Sequence, residues 1–231
     1  MDKITLGTRN VSIEFPGVKA LSNVDFEIET GVIHALMGAN GAGKSTLMKV
    51  LAGSNPGYTG DVLYNGNPVE LRNPAAAKKL GIQIVYQEVD MALIPTLTVA
   101  ENVMFNDLVM NMGHKQFVNY GKIRKDAKEA LARLNVNIDV RRMCGTLTLA
   151  QKQMVLIARA VQSACNFLIL DEPTAPLSDT ETEELFRVVR HLRKTENLAV
   201  IFITHRIHEV LQICDSYTVM RNGEIVDRKS T

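Results

Sequence analysis

Val32-Ile33-His34-Ala35-Leu36-Met37 runs directly into Gly38-Ala39-Asn40-Gly41-Ala42-Gly43-Lys44-Ser45. The first six residues read as an apolar run, the pattern of a strand buried on both faces. The next eight fit G-x-x-x-x-G-K-[ST], and a helix is predicted behind them over Thr46–Ala52, closed by Gly53. Strand, glycine loop and helix in that order are the context this motif requires. Glycines let the loop wrap tightly, so that successive backbone N–H groups converge on phosphate oxygens. The start of the following helix adds partial positive charge. In such a loop Lys44 reaches the β- and γ-phosphates and the Ser45 hydroxyl ligates Mg²⁺. Thr46 adds a hydroxyl near the α-phosphate. The competing reading is a chance glycine turn beside a surface lysine. Three placed glycines alone arise at roughly 3 in 10,000 positions, and Lys44, Ser45 and the strand–helix frame reduce that further.

Outward from the loop, Val11–Phe15 and Val24–Ile28 alternate apolar and polar as half-buried strands do, with a Pro16-Gly17 turn between them. Asp61–Tyr64 is a short strand ending in an Asn65-Gly66 turn, and Ile82–Tyr86 a buried strand. From about Thr98 to Asn135 the pattern is helical. Gly121–Leu134 places Ile123, Ala127, Ala130, Leu131 and Leu134 on one face. Asn106–Asn119 is Met- and Asn-rich with no period, and Met104, Met110 and Met112 read as packing residues. Alternation then resumes: helix Ala150–Ser163, strand Asn166–Leu170, helix Asp179–Lys194, strand Leu198–Thr204 and helix Ile207–Ile213. A hairpin, Ser216–Met220 with Glu224–Asp227 around Asn222-Gly223, closes the pattern. Such alternation predicts an α/β core with a mostly parallel sheet. An antiparallel β part precedes it and a helical insertion interrupts it.

Composition excludes several classes. The 231 residues make one large domain or two small ones. Lys plus Arg number 26 and Asp plus Glu 25, so the net charge of +1 leaves no basic footprint for nucleic acid. With 46% hydrophobic and 22% charged residues, the chain can build a core and is not of disordered composition. Cys144, Cys165 and Cys214 are scattered with no CxxC pair, which argues against both a cysteine zinc site and a secreted disulfide scaffold. The opening MDKITLGTRN has no apolar run behind a basic start, and no stretch approaches a membrane span. The expectation is a cytoplasmic chain that works at a membrane only through a partner.

Two further strand ends carry chemistry. Phe167-Leu168-Ile169-Leu170 delivers Asp171 and Glu172 at the edge where open α/β sheets bind ligands. Adjacent strand residues point to opposite sides, so the two acids divide the work. Asp171 is placed to hold Mg²⁺ through water, and Glu172 to orient or deprotonate an attacking water. His205 ends the strand before it in the same way and reads as a γ-phosphate sensor. His34, His114, His191 and His208 read as structural. Gln87, after Ile82–Tyr86, is a neutral group able to ligate Mg²⁺ and touch the attacking water.

Together these residues resemble the ATP-binding cassette of ABC transporters over essentially the whole chain. The implied fold is α/β, a P-loop NTPase (RecA-like) core with an N-terminal antiparallel β subdomain and a helical insertion. One nucleotide-binding domain would then span 1–231, with core 1–95 and 150–231 and a helical subdomain of about 96–149. Val11-Ser12-Ile13-Glu14-Phe15-Pro16-Gly17-Val18-Lys19-Ala20-Leu21 is similar to the opening of ribose/galactose-type sugar-importer cassettes. There the position of Phe15 stacks on adenine, with Val18 beside it. Gln87 matches the Q-loop, Asp171 and Glu172 the Walker B acid and catalytic base, His205 the switch histidine, and Ala175-Pro176-Leu177-Ser178 the D-loop. The cofactors implied are ATP and Mg²⁺.

Leu147-Thr148-Leu149-Ala150-Gln151-Lys152-Gln153 occupies the place of the LSGGQ signature, with Leu149 and Ala150 where the family has glycines. Side chains there obstruct the close approach by which a signature caps the γ-phosphate on a partner cassette. Residues acting in cis are intact and those acting in trans are degraded. In the fused sugar-importer ATPases this pattern belongs to the first of two cassettes, so the chain reads as an N-terminal half. The partners implied are a second cassette fused to it, transmembrane permease subunits and, indirectly, a periplasmic or extracellular solute-binding protein. The location implied is the inner face of the cell membrane. A non-transport ABC ATPase and a nucleotide-gated regulator are the competing classes. The neutral charge and degraded signature disfavour the first, and Glu172 with His205 the second. A P-loop kinase or GTPase leaves Gln87, His205 and Phe15 unexplained.

Overall fold

The structure, a computed structural model, describes residues 3–111 and 118–230. Two compact units result: Met1–Ile84 with Cys165–Pro173 and Arg193–Thr231, and Val85–Ala164 with Thr174–Leu192.

The first unit opens with β1 (Thr5–Phe15) and β2 (Val18–Glu29), antiparallel around Pro16-Gly17. Both strands are longer than their alternation predicts, and the reason is visible in the pairing. Register shifts fall between Thr8 and Val11 and between Val11 and Ile13, with Asn10 and Asn23 at positive φ. Such bulges insert an extra residue and break the period of two on which the sequence reading depends. After β3 (Ile33–Met37) and α1 (Lys44–Leu51) come β4 (Thr59–Tyr64) and β5 (Asn67–Val69). The first sheet has the order β2-β1-β4-β5. Neither β5 nor α2 (Pro74–Lys79) was expected from sequence. The signal for α2 was present: Asn73 accepts from the Ala76 N–H at 2.9 Å, and Pro74 fills the first helical turn.

The second sheet adds β6 (Ile82–Val85), β7 (Phe167–Asp171), β8 (Ala199–Ile203), β9 (Ser216–Arg221) and β10 (Glu224–Ser230), with α9 (Ile207–Ile213) between β8 and β9. Its order is β10-β9-β3-β8-β7-β6. The pairs β9–β3, β3–β8 and β8–β7 are parallel, and β10 returns antiparallel to β9. Parallel pairing brings the carboxyl ends of β3, β7, β8 and β9 to one edge. Leu36, Leu47, Met48, Phe167, Ile169 and Ile201 are buried in the core beneath that edge. Burying these apolar side chains at about 1.5–3 kcal/mol each is what fixes the loops above them.

The second unit is helical: α3 (Val89–Ala92), α4 (Val99–Val103), α5 (Phe105–Asn111), α6 (Tyr120–Arg133), α7 (Leu149–Gln162) and α8 (Asp179–Glu196) as far as Leu192. Ala127, Ala130, Leu131 and Leu134 are buried, as the periodicity of that helix predicts. Met104 is buried as well, whereas the side chain of Met110, Met112 and His114 lie outside the described residues. No helix among the described residues is long and apolar enough to cross a membrane.

Candidate functional site

The loop between β3 and α1 is shaped by its glycines. Gly38 and Gly43 have φ of 151° and 101°, which L side chains rarely adopt. A Cβ on Gly38 would strike the Met220 carbonyl, and one on Gly43 would lie 2.7 Å from the Ala20 carbonyl oxygen. The chain therefore passes where no side chain fits. Inside the loop the Ala42 N–H donates to the Ala39 carbonyl at 3.1 Å. No side chain caps the start of α1, and its first turn contains no acid. That terminus is left to an anion. Lys44 is buried, and its Nζ donates to the carbonyl oxygens of Gly38 and Ala39 at 2.8 and 3.0 Å. Both acceptors are neutral, so a phosphate oxygen competes well for the same donor.

Beside α1, the Ser45 hydroxyl is hydrogen-bonded to the Asp171 carboxylate. Burial first, and then the charge of Glu172, raise the Asp171 pKa above the ordinary carboxylate value, with Ser45, Lys44 and Lys49 opposing. An under-neutralised carboxylate beside a hydroxyl is a pair of hard oxygen donors, which suits Mg²⁺. Among the described residues no group of three or more His, Cys, Asp or Glu side chains could hold a metal ion. Such an ion would depend on phosphate oxygens and water for its other ligands, the usual habit of Mg²⁺.

Glu172 and His205 meet. Asp171 of β7 pairs with Ile203 of β8, and the Glu172 N–H continues that pairing by donating to the Ile203 carbonyl at 3.1 Å. Glu172 then turns with a φ of 44°, and its Oε1 lies 3.3 Å from His205 Nδ1. A carboxylate only accepts, so Nδ1 carries the proton in this pairing and Nε2 is the second functional atom of the ring. His205 is itself held between two anchored neighbours. Thr204 Oγ1 donates to the fully buried Glu209 at 2.5 Å, Arg206 Nη1 donates to Glu209 at 3.3 Å, and the Arg206 N–H donates to Thr204 Oγ1 at 3.1 Å. Sequence reading missed Glu209. Its only local signal is a position four residues past His205, where a first-turn acid is commonplace.

Phe15 and Val18 are cross-strand partners at the tip of the β1–β2 hairpin, and both are exposed. They form an apolar step open to a flat ring. The same strand, two residues on, places Ala20 and Leu21 against Gly43 of the loop. Ala39, Asn40 and Gly41 are exposed at the loop's outer turn, while Ala42 is buried and Thr46 half-buried. Gln87 is described within its own unit. It belongs to the second unit, exposed two residues past β6, with its carbonyl accepting from the Val89 N–H at 3.0 Å. In that unit Thr148 caps α7 reciprocally with Gln151, at 3.3 and 3.2 Å, and Leu149 and Ala150 fill the first turn.

Residues 21–175 match the ABC transporter family. The chain is 44% identical over 225 residues to the ribose import ATP-binding protein RbsA 1 of Rubrobacter xylanophilus, covering 97% of this chain and 44% of that protein. It is equally similar, over the same shares, to a putative ribose/galactose/methyl galactoside import ATP-binding protein of Agrobacterium fabrum. The chain thus spans less than half the length of these relatives. Among solved structures, the ADP conformation of an ATP-binding cassette of an ABC transporter superposes with a TM-score of 0.86 at 26% identity, over 100% of this chain and 92% of that one. A nucleotide-free cassette gives 0.86 at 25% identity, over 98% and 91%.

Proposed function

The chain belongs to the ABC transporter family, and from that premise we propose that it is a single nucleotide-binding cassette that binds MgATP and hydrolyses it to energise uptake of a sugar or related solute. The observation that carries the reading is one sheet edge bearing the Lys44 loop, the Ser45–Asp171 pair and the Glu172–His205 pair together. Backbone N–H groups of Gly38–Thr46 and Lys44 bind the phosphates, and Phe15 with Val18 receives the adenine ring. Ser45 and Asp171, with Gln87, hold Mg²⁺, which neutralises charge on the phosphates when bound. Glu172 accepts a proton from water as the water oxygen bonds to the γ-phosphorus. The bond from that phosphorus to the bridging oxygen breaks, releasing ADP and phosphate. His205, with Nδ1 turned to Glu172, presents Nε2 to the γ-phosphate.

The relatives' names support sugar import, and their greater length supports a second cassette in the same polypeptide. Permease subunits at the inner face of the membrane and a solute-binding protein complete the assembly. Leu149 and Ala150 make the α7 terminus a poor trans cap, so a second copy of this chain would not complete its site, and productive hydrolysis here draws on the signature of a different, second cassette.

Calorimetric titration with MgATP tests the binding step. The wild-type chain should bind, Lys44→Ala should lose about tenfold or more in affinity, and Glu172→Gln should bind normally. Turnover by the isolated monomer should be slow, and in the complete assembly Glu172→Gln should abolish it. Equal binding by Lys44→Ala overturns the nucleotide site. Unchanged uptake of ribose and galactose in cells lacking the gene overturns those two sugars as the cargo.

A further inference from the structure

We propose that Gly223, in the turn between β9 and β10, is a positioning residue for nucleotide binding: its backbone sets the phosphate loop. The inference rests on the nucleotide reading above and adds to it a residue 180 positions beyond Gly43 in the chain. The Gly223 N–H donates to the Ala42 carbonyl at 3.0 Å, and the Gly223 carbonyl accepts from the Ser22 N–H at 2.9 Å. One residue thus ties the loop to β2. In a trans peptide the carbonyl and the following N–H point in opposite directions. Holding the Ala42 oxygen at Gly223 therefore fixes the direction of the Gly43 N–H, one of the loop donors a phosphate reads.

The junction has no space for a side chain. A Cβ on Gly223 would lie 2.8 Å from the Ala20 oxygen, 3.1 Å from the Ala20 carbonyl carbon and 3.2 Å from Leu21 Cα, all backbone atoms. A Cβ on Gly43 would meet the same Ala20 oxygen, and the Gly223 Cα at 3.3 Å. Gly38 is closed in the same way by the Met220 carbonyl. Parallel pairing explains the meeting. Met37 pairs with Val219, so Gly38 leaves β3 beside Met220.

The molecule contains a control for the turn itself. Asn65-Gly66 repeats Asn222-Gly223 with nearly the same backbone, φ 50° and 73° against 52° and 79°. A Cβ on Gly66 would meet nothing within 4 Å. Gly66→Ala thus carries the same φ strain without the junction. MgATP affinity measured by calorimetry, at a temperature where circular dichroism shows each variant folded, should weaken about tenfold or more in Gly223→Ala. Gly66→Ala should stay within about twofold. Wild-type affinity in Gly223→Ala overturns the inference alone, whereas a wild-type chain that binds no ATP overturns the nucleotide reading with it. Hydrogen exchange on the wild-type chain is a second measurement that needs no variant. The Gly223 and Ser22 amides should exchange more slowly with MgATP, relative to the Asn65 amide, which donates to Thr5 at 2.9 Å. No slowing overturns the inference.

Discussion

Asp171 is a carboxylate that its surroundings work against: burial and the adjacent Glu172 both disfavour its charge. A carboxylate kept in this way weakens the fold, because its ionised form is better solvated in the unfolded chain. Asp171→Asn should therefore raise the melting temperature in metal-free buffer by about 2–4 °C. The same change should remove the Mg²⁺ dependence of ATP binding, and an unchanged or lowered melting temperature with that dependence intact would contradict the assignment. Glu172 has a related cost. Every other described non-glycine residue at positive φ is an asparagine, which tolerates that region, while Glu172 at 44° is not compensated by its side chain. Such strain, of about 1–3 kcal/mol, is held where surrounding structure over-determines it. The residue types Asp171, Glu172 and His205 were legible from their strand ends. The strained turn that brings Glu172 to His205 was not, because no local preference of glutamate predicts it.

At the scale of elements, the helical unit is organised around one buried amide. Asn102 of α4 accepts from the Ile94 N–H at 2.9 Å and donates to the carbonyls of Ile94 and Thr98 at 2.9 and 3.1 Å. Arg159 of α7 donates to the Asn102 backbone at 2.8 Å and to the Ala92 carbonyl at 2.8 Å, with its guanidinium 5.7 Å from the Phe105 ring centroid. Burial lowers the Arg159 pKa, and the charge is satisfied by carbonyls and a ring face. Asn102→Leu keeps similar bulk but leaves several buried backbone groups unpaired. It should cost about 2–4 kcal/mol in urea unfolding, and a loss under about 1 kcal/mol would show that water replaces the amide. Helical periodicity announced α6 and α7, but nothing in it marks Asn102, whose partners follow from where the chain folds back. The β1–β2 bulges were hidden for a parallel reason: an inserted residue resets the phase that alternation relies on.

At the scale of the whole molecule, one buried histidine should make the fold acid-labile. His34 lies in the middle of the large sheet, with Nδ1 2.7 Å from Ser216 Oγ and Nε2 2.9 Å from Thr218 Oγ1. Burial, helped by Arg228, lowers its pKa from 6.5 to about 4. Between those values the unfolded chain binds a proton that the folded chain refuses, so stability falls as pH drops through that window. The loss is on the order of 3 kcal/mol. His34→Gln should flatten the decline between pH 6.5 and 4 measured by chemical denaturation, and an unchanged slope would assign it elsewhere. Sequence alone determined the α/β class, the phosphate loop, the two acids and the histidine, because each is written in a short run of residues whose local chemistry has few other uses. Tertiary structure was needed for what joins them: Glu172 with His205, Glu209 behind Thr204 and Arg206, and Gly223 against Ala42 and Ala20. Those contacts link segments from different strands, and the parallel register of β9, β3, β8 and β7 selects them. Register is set by burial of a shared core, a property of many residues at once that no single motif carries.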